Sequence, residues 1–401
     1  MNINQLETPC YIVNQADYEQ NLRAFRAAFA QRWGGEVICG YSVKTNNLPH
    51  MLRTAMAHGY WAETVSPDEW DFARRCGCPA DRIIYNGPQK RQTVLDACRA
   101  GAMVNLDNLA EVDAVCAAFG GGSFRPKLGL RVNFDLESAC PGETTCVGVP
   151  GRFGLSRENG DLAEAARRLK QAGLKLSGLH LHQSSRSRSR KIFETIAETA
   201  VAVGRELGLE DLDYIDMGGG FFGGNFFPGK PSIPEYAETV CDTLRSFYDP
   251  KRTALVLEPG AAVLATAMDY LTAVLNIRNV RGQRIVTVDG TLLHINPFLN
   301  PHPTPFTMLE PGPETEEAQI IGGSTCMELD RFWPRDMHNE ATLNSRFLFH
   351  CCGAYMSTHN SSFINAAPNI YVKGPDGDYR LLRRKSLDAL FACESEGPGR
   401  E

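Results

Sequence analysis

The sequence predicts an α/β protein: a (β/α)8 (TIM) barrel joined to a second, antiparallel β-domain. Three observations carry this. From about residue 16 to 260, strand-like runs alternate with amphipathic helical stretches, the pattern of repeated βα units and a parallel sheet. About eight such strands fall within roughly 240 residues, the usual size of a closed barrel. Beyond Pro259 the texture changes to β-prone runs set among Gly, Pro and Asn, with few helical stretches. The expected division is a barrel at residues 16–262, a β-domain made of 1–15 and 263–390, and a polar, Gly-rich tail at 391–401. A doubly wound open sheet is the competing arrangement, because strand order cannot be read from one sequence.

In chain order, the strand-like run 37–41 is followed by a helical stretch at 48–58, and 60–65 by 67–76. Next come 83–85 with 91–100, 103–106 with 109–119, and 128–132. The last units are 174–182 with 191–207, 214–217 with a helix around 233–248, and a final strand at 254–257. The β-domain reads as strands at 270–277, 284–288, 319–321, 346–350 and 369–372. Residues 133–151 and the proline-rich 297–313 read as long loops, the usual form of binding loops and lids.

Composition narrows the function. At 401 residues the chain can bury a large core, and charged residues make up 22% with a net charge of -6. No basic field exists to attract nucleic acid or an anionic membrane. The N-terminus lacks the basic start and apolar stretch of a signal peptide, and no run approaches the roughly 20 apolar residues that span a bilayer, so a cytoplasmic enzyme is expected. Thirteen cysteines lack the paired spacing of a zinc site and read as buried thiols in a reducing compartment, although Cys76 and Cys78, Cys140 and Cys146, and Cys351 and Cys352 are close pairs.

The residues that carry chemistry sit at predicted strand ends, where barrels place their sites. Lys44, in Tyr41-Ser42-Val43-Lys44-Thr45-Asn46, projects from the end of a strand and reads as an attachment site for pyridoxal phosphate, although a surface lysine closing a strand fits the same segment. That cofactor needs an imine-forming lysine, a phosphate cradle, a group stacked on its ring and a partner for its ring nitrogen. Gly218-Gly219-Gly220 would let backbone N–H groups approach a phosphate, or would simply make a tight turn. Glu258, in Glu258-Pro259-Gly260, leaves a carboxylate at the barrel mouth, or caps a turn. His180 and His182 point to one face of a strand; such a pair also fits core histidines or metal ligands, and no metal is expected.

Taken in order, these segments resemble a family. Thr8-Pro9-Cys10-Tyr11-Ile12-Val13, the Lys44 segment, Ile84-Tyr85-Asn86-Gly87-Pro88-Gln89-Lys90, Val104-Asn105-Leu106-Asp107 and Arg152-Phe153-Gly154 open the series. His180 to Ser185, Gly218-Gly219-Gly220, Glu258-Pro259-Gly260, Gly323-Ser324-Thr325-Cys326 and Gly353-Ala354-Tyr355 complete it. The chain resembles the fold-type III pyridoxal-phosphate decarboxylases, which include ornithine and diaminopimelate decarboxylases, as a specialised member. The resemblance implies an alanine-racemase-like barrel, pyridoxal 5'-phosphate as cofactor, and α-decarboxylation of an amino acid or an amino-acid-derived metabolite.

It also implies roles. Lys44 resembles the Schiff-base lysine, His182 the ring-stacking residue, Glu258 the ring-nitrogen partner and Glu63 a carboxylate beside the lysine. Arg131 lines the cofactor site, Ser185, Gly218, Gly219, Gly220 and Tyr355 match phosphate contacts, and Gly260 lies in a cofactor-contacting turn. Cys326 matches a proton-returning cysteine that reaches the site from the partner subunit, which implies a homodimer with shared sites. Departures limit the substrate: Ala261 stands where the family often has arginine, Met327 where ornithine-type enzymes have an acid, and residues 289–306 lack the arginine of diaminopimelate enzymes. A diacid is therefore disfavoured, while Asp289 and Glu328 match positions for a basic distal group. A racemase or epimerase, and a non-catalytic pyridoxal-phosphate carrier, are the alternatives; Glu258 argues against the first and the β-domain against the second.

Overall fold

The computed structural model describes residues 1–388 apart from 225–228, 298, 300–302, 335–336, 357 and 360–361. The tail expected at 391–401 lies outside the described residues. The chain divides into one unit of Glu19–Val263 and another of Met1–Tyr18 with Leu264–Glu401.

The first unit is a closed ring of eight parallel strands: Val37–Ser42, Trp61–Thr64, Ile83–Tyr85, Met103–Leu106, Lys127–Asn133, Leu176–His180, Tyr214–Asp216 and Ala254–Leu257. Neighbours in sequence pair in space, and Ala254–Leu257 returns to Val37–Ser42 to close the ring. Closure excludes the doubly wound alternative. Each strand is buried on both faces, which is why these segments read as continuous apolar runs. Local signals set the helices around them. Ser66 and Ser189 accept hydrogen bonds from the first turns of Pro67–Arg75 and Arg190–Leu207, and Gly208, at φ +63°, ends the latter.

The ring fills in layers. At the base Ile38, Ile84, Met103, Tyr214, Ala254 and Val256 pack together. Across four consecutive strands the register aligns Asn105, Gly129, Gly178 and Tyr214. A Cβ on Gly178 would lie 2.4 Å from the Tyr214 ring, and one on Gly129 would lie 2.1 Å from Asn105 Oδ1. The two glycines thus leave the space in which the Tyr214 hydroxyl reaches across to Asn105 Oδ1 at 2.7 Å. One layer higher the register aligns Arg131, His180 and Asp216, and it places Glu63 beside Ser42.

The second unit is a mostly antiparallel sheet. Its long strand Met268–Val280 pairs antiparallel with Cys10–Asn14, Gln283–Val288 and Arg346–Phe349. Two pairings are parallel, Cys10–Asn14 with Asn369–Lys373 and Gln283–Val288 with Gln319–Gly322, because the chain returns to these edges through long connections. Leu6, Cys10, Ile12, Leu271 and Tyr371 form its core. The proline-rich segment expected as a loop at 297–313 contains a strand, Phe306–Leu309, paired with Arg346–Phe349. Among the described residues, no helix is long and apolar enough to cross a membrane.

Gly178→Val should force the Tyr214 ring from its place. Overpacking of this kind destabilises by about 1–3 kcal/mol, so thermal melting of the variant is expected roughly 3–10 °C below that of the native chain. An unchanged melting temperature would show that the layer has slack the packing does not reveal.

Candidate active site

Lys44 sits in the single helical turn Val43–Thr45 that follows the first barrel strand. Its Nζ is ion-paired with Glu63, which is 1% exposed at the end of the next strand. Asn86, buried just beyond the third strand, joins this pair to Glu258 beyond the last strand: its Nδ2 donates to Glu63 Oε1 at 3.1 Å and to Glu258 Oε1 at 2.5 Å. Asn86 is itself oriented by Asn105 Nδ2, which donates to its Oδ1 at 2.8 Å. Lys44, Glu63, Asn86 and Glu258 therefore form one connected line across the barrel mouth.

Arg131 is buried beside this line, 3.6 Å from Asp107, and its Nη2 donates to the carbonyl of His182 at 3.5 Å. Its guanidinium lies 4.6 Å from the centre of the Phe153 ring, to which Arg152 also stacks at 3.9 Å. His182 Nδ1 accepts from Gly219 N at 3.1 Å, which fixes the neutral tautomer with its proton on Nε2. Burial, reinforced by the Arg131 charge, pushes the His182 pKa down to about 3 and that of His180 well below the usual range. The two rings lie nearly parallel, 11° apart with centres at 6.3 Å, so both do occupy one face.

The fit of a cofactor can be tested on atoms that lack partners. Both ring nitrogens of His180, Nε of Arg131, Oδ1 of Asp107 and Oγ1 of Thr45 are buried with no hydrogen-bond partner, a concentration that ordinary protein interiors avoid. The glycines meet the same test. A Cβ on Gly218 would lie 2.3 Å from His182 Cβ, and one on Gly219 would lie 2.4 Å from the Glu258 carbonyl. Gly220, at φ +93°, has nothing within 3.8 Å of its Cβ position, so the backbone is exposed to a ligand there. A Cβ on Gly260 would lie 2.4 Å from Thr45 Oγ1. Ser185 Oγ, in the loop beyond His182, accepts from Arg188 N at 3.1 Å. An aromatic ring with a phosphate matches this set of imidazoles, buried carboxylates and open glycine backbone.

Residues 15–265 match the pyridoxal binding domain of the pyridoxal-dependent decarboxylases. The chain belongs to that family. It is 23% identical over 402 residues to a diaminopimelate decarboxylase of Zymomonas mobilis, covering 98% of this chain and 94% of the relative. It is 26% identical over 432 residues to an L-glutamyl-[BtrI acyl-carrier protein] decarboxylase of Niallia circulans, covering 97% and 94%. Among solved structures, a diaminopimelate decarboxylase from M. jannaschii in complex with L-lysine superposes with TM-score 0.83 at 21% identity, over 98% of this chain and 92% of that one. The protein is thus a pyridoxal-phosphate-dependent decarboxylase of an amino acid or amino-acid-derived metabolite; these matches give no support to a racemase, an epimerase or a carrier.

Of the expected site residues, the barrel unit brings together Lys44, Glu63, Arg131, His182, Glu258, Gly218, Gly219, Gly220 and Gly260, with Ser185 in the adjoining loop. The remainder belong to the second unit. Cys326 is an exposed thiol on a turn built around the buried Asp330, whose carboxylate accepts from Leu292 N at 2.7 Å, Thr325 N at 3.1 Å and Thr325 Oγ1 at 2.6 Å. Tyr355 is exposed at φ +68°. Asp289 accepts from Thr8 Oγ1, Thr272 Oγ1 and Ala273 N, at 2.5, 2.9 and 2.9 Å. Glu328, 94% exposed, pairs with Arg331 at 3.2 Å. Asn86, Asn105 and Asp216 were not expected. The signal was present in the chain, since each is a small polar residue within or just beyond a short apolar strand.

The buried histidines make stability pH-dependent. Burial also lowers the His294 pKa to about 4. Because each is depressed below the ordinary value of about 6.5, the stability they contribute is complete above that value and is lost as pH falls toward 3–4. The unfolding midpoint in urea should fall from pH 7 to pH 5, and His182→Phe should make the fall shallower. Equal slopes for the two proteins would contradict the neutral, buried assignment.

Proposed function

We propose that the barrel mouth holds pyridoxal 5'-phosphate on Lys44 and removes the α-carboxylate of its substrate as CO2. The observation that carries this reading is the connected line from Lys44 through Glu63 and Asn86 to Glu258, which ties an amine beyond the first strand to a buried carboxylate beyond the last, the two strands where the ring closes. When bound, the cofactor supplies an electron sink for the charge left at Cα.

The chain's own groups do the rest. Lys44 Nζ is the attachment point, and Glu63 Oε2 holds its proton while the amine is free. Glu258 is the partner of the ring nitrogen, and its burial keeps that contact free of water. His182, held by the Gly219 N–H, presents a neutral ring face for stacking, and Arg131 steadies it through its carbonyl. Gly218, Gly219, Gly220 and Ser185 take the phosphate, with Gly260 giving close approach. Cys326, supplied from the partner subunit of a homodimer, returns a proton to Cα; its exposed thiol on a fixed turn supports that role. All twelve described cysteines are free, which supports a reducing, cytoplasmic setting.

The substrate is an amino acid whose distal end is not a free carboxylate. Of the acidic groups matched to a distal amine, Asp289 already accepts three internal hydrogen bonds, so a basic side chain would rely on Glu328.

Lys44→Ala should abolish the visible absorbance of the lysine-bound cofactor; retention of the band would overturn the assignment. Mixing inactive Lys44→Ala with inactive Cys326→Ala should restore part of the CO2 release if the two residues act across a dimer. No recovery on mixing, with exchange of subunits verified, would sink the shared site. A CO2-release screen across basic, neutral, acidic and conjugated amino acids should favour substrates without a free distal carboxylate.

A further inference from the structure

Five carboxylates are buried in the upper layers of the barrel: Glu63, Asp107, Glu111, Asp216 and Glu258. Three cations face them, and each is already matched, Lys44 with Glu63, Lys90 with Glu111 and Arg131 with Asp107. Asp216 and Glu258 are left to each other. Asp216 is 0% exposed and Glu258 3%, and these two carboxyls and the His180 ring each place an atom within 4.8 Å of the others. A bound cofactor's ring nitrogen brings one positive charge, enough for one of the two. Two carboxylates that close, away from water, do not both ionise.

We propose that Asp216 is held as the neutral acid and donates its proton to Glu258, so that the pair carries a single negative charge located on Glu258. The surroundings distinguish the two groups. Asp216 Oδ1 accepts from Gly218 N at 2.8 Å and its Oδ2 from Asn105 Nδ2 at 3.2 Å, and Asn105 is itself fixed by Tyr214 and Asn86. The Asp216 carboxyl is therefore clamped at both oxygens in one orientation, while Glu258 takes its Asn86 bond at Oε1 alone among the described residues. The groups facing Asp216 are Glu258 from the last strand, Glu63 from the second, Arg131 from the fifth and His180 from the sixth. Burial, then the Glu258 charge, raises the Asp216 pKa well above that of an ordinary carboxyl, in the direction the geometry requires. His180 does not take this place: burial keeps it neutral, so it brings no countercharge, and its Nε2 lies 3.8 Å from Glu258 Oε2, beyond hydrogen-bond reach. Asp216 is a positioning residue: it acts through Glu258, holding that carboxylate in place and confining the charge to it. The inference rests on Glu258 being the ring-nitrogen partner.

The test compares holoenzymes of Asp216→Asn and Asp216→Ala with the native protein. A raised carboxyl pKa gives stability that is complete below the unfolded value of about 3.9 and is lost as pH rises toward the folded one. Asparagine keeps a donor and has no proton to lose. Asp216→Asn should therefore gain on the native protein in urea unfolding as pH rises from 5 to 8, by up to tenfold in equilibrium constant per pH unit. Asp216→Ala, lacking the donor, should bind pyridoxal phosphate roughly tenfold more weakly than Asp216→Asn. A stability difference that does not change with pH, or equal affinities in the two variants, overturns the proposal. Glu258→Gln separates it from the reading beneath it: a Glu258→Gln holoenzyme that binds and reacts like the native one removes that reading, whereas a pH-flat Asp216→Asn beside an impaired Glu258→Gln removes the proposal alone.

Discussion

Closing a ring of strands over buried carboxylates is possible only if each carboxylate meets a donor or a countercharge, and that demand organises the upper half of this barrel. An unpaired buried charge is among the costliest features a fold can carry. Here cations answer Glu63, Asp107 and Glu111, and amide groups donate to the rest. The amides need fixed orientations to serve, which Tyr214 provides by reaching across the strand interior to Asn105. Tyr214 can lie there only because Gly129 and Gly178 leave out their side chains. Two glycines deep in the barrel are in this way linked to the charge on a carboxylate at its mouth.

Much of the barrel is legible in the chain because each strand is short and largely apolar, and several of the helices that follow are capped, as at Ser66, Asn108, Ser189 and Ser232. Closure is not, since the pairing of Met103–Leu106 with Lys127–Asn133 and of Ala254–Leu257 with Val37–Ser42 joins segments whose adjacency leaves no local mark. In the second unit the strands at Arg346–Phe349 and Asn369–Lys373 announce themselves by β-branched and aromatic residues. Phe306–Leu309 is hidden by the prolines around it, and the two parallel pairings depend on connections that sequence does not order.

The site divides along the same line. Lys44, His182 and Glu258 can be picked out because they stand at strand ends with reactive side chains and resemble known roles. Asn86 and Asp216 stand at equivalent ends and Asn105 just inside one, yet a lone Asn or Asp at a strand end is also ordinary turn chemistry. What separates the two readings is a count of charges around one buried space, and that count requires the ring to be closed first.

The same count bears on the side chain beyond Cα. Among the described residues of the barrel unit, the fully buried cations are Lys90 and Arg131, and each already answers a carboxylate. Ala261 adds none. A substrate bringing a second free carboxylate into this unit would meet one more uncompensated charge in a space already crowded with acids, whereas a neutral, basic or conjugated end would not. The buried charges of the barrel unit are therefore in keeping with the substrate proposed from the departures at positions 261 and 289–306, for an independent reason: Lys90 and Arg131 are both engaged with the unit's own carboxylates.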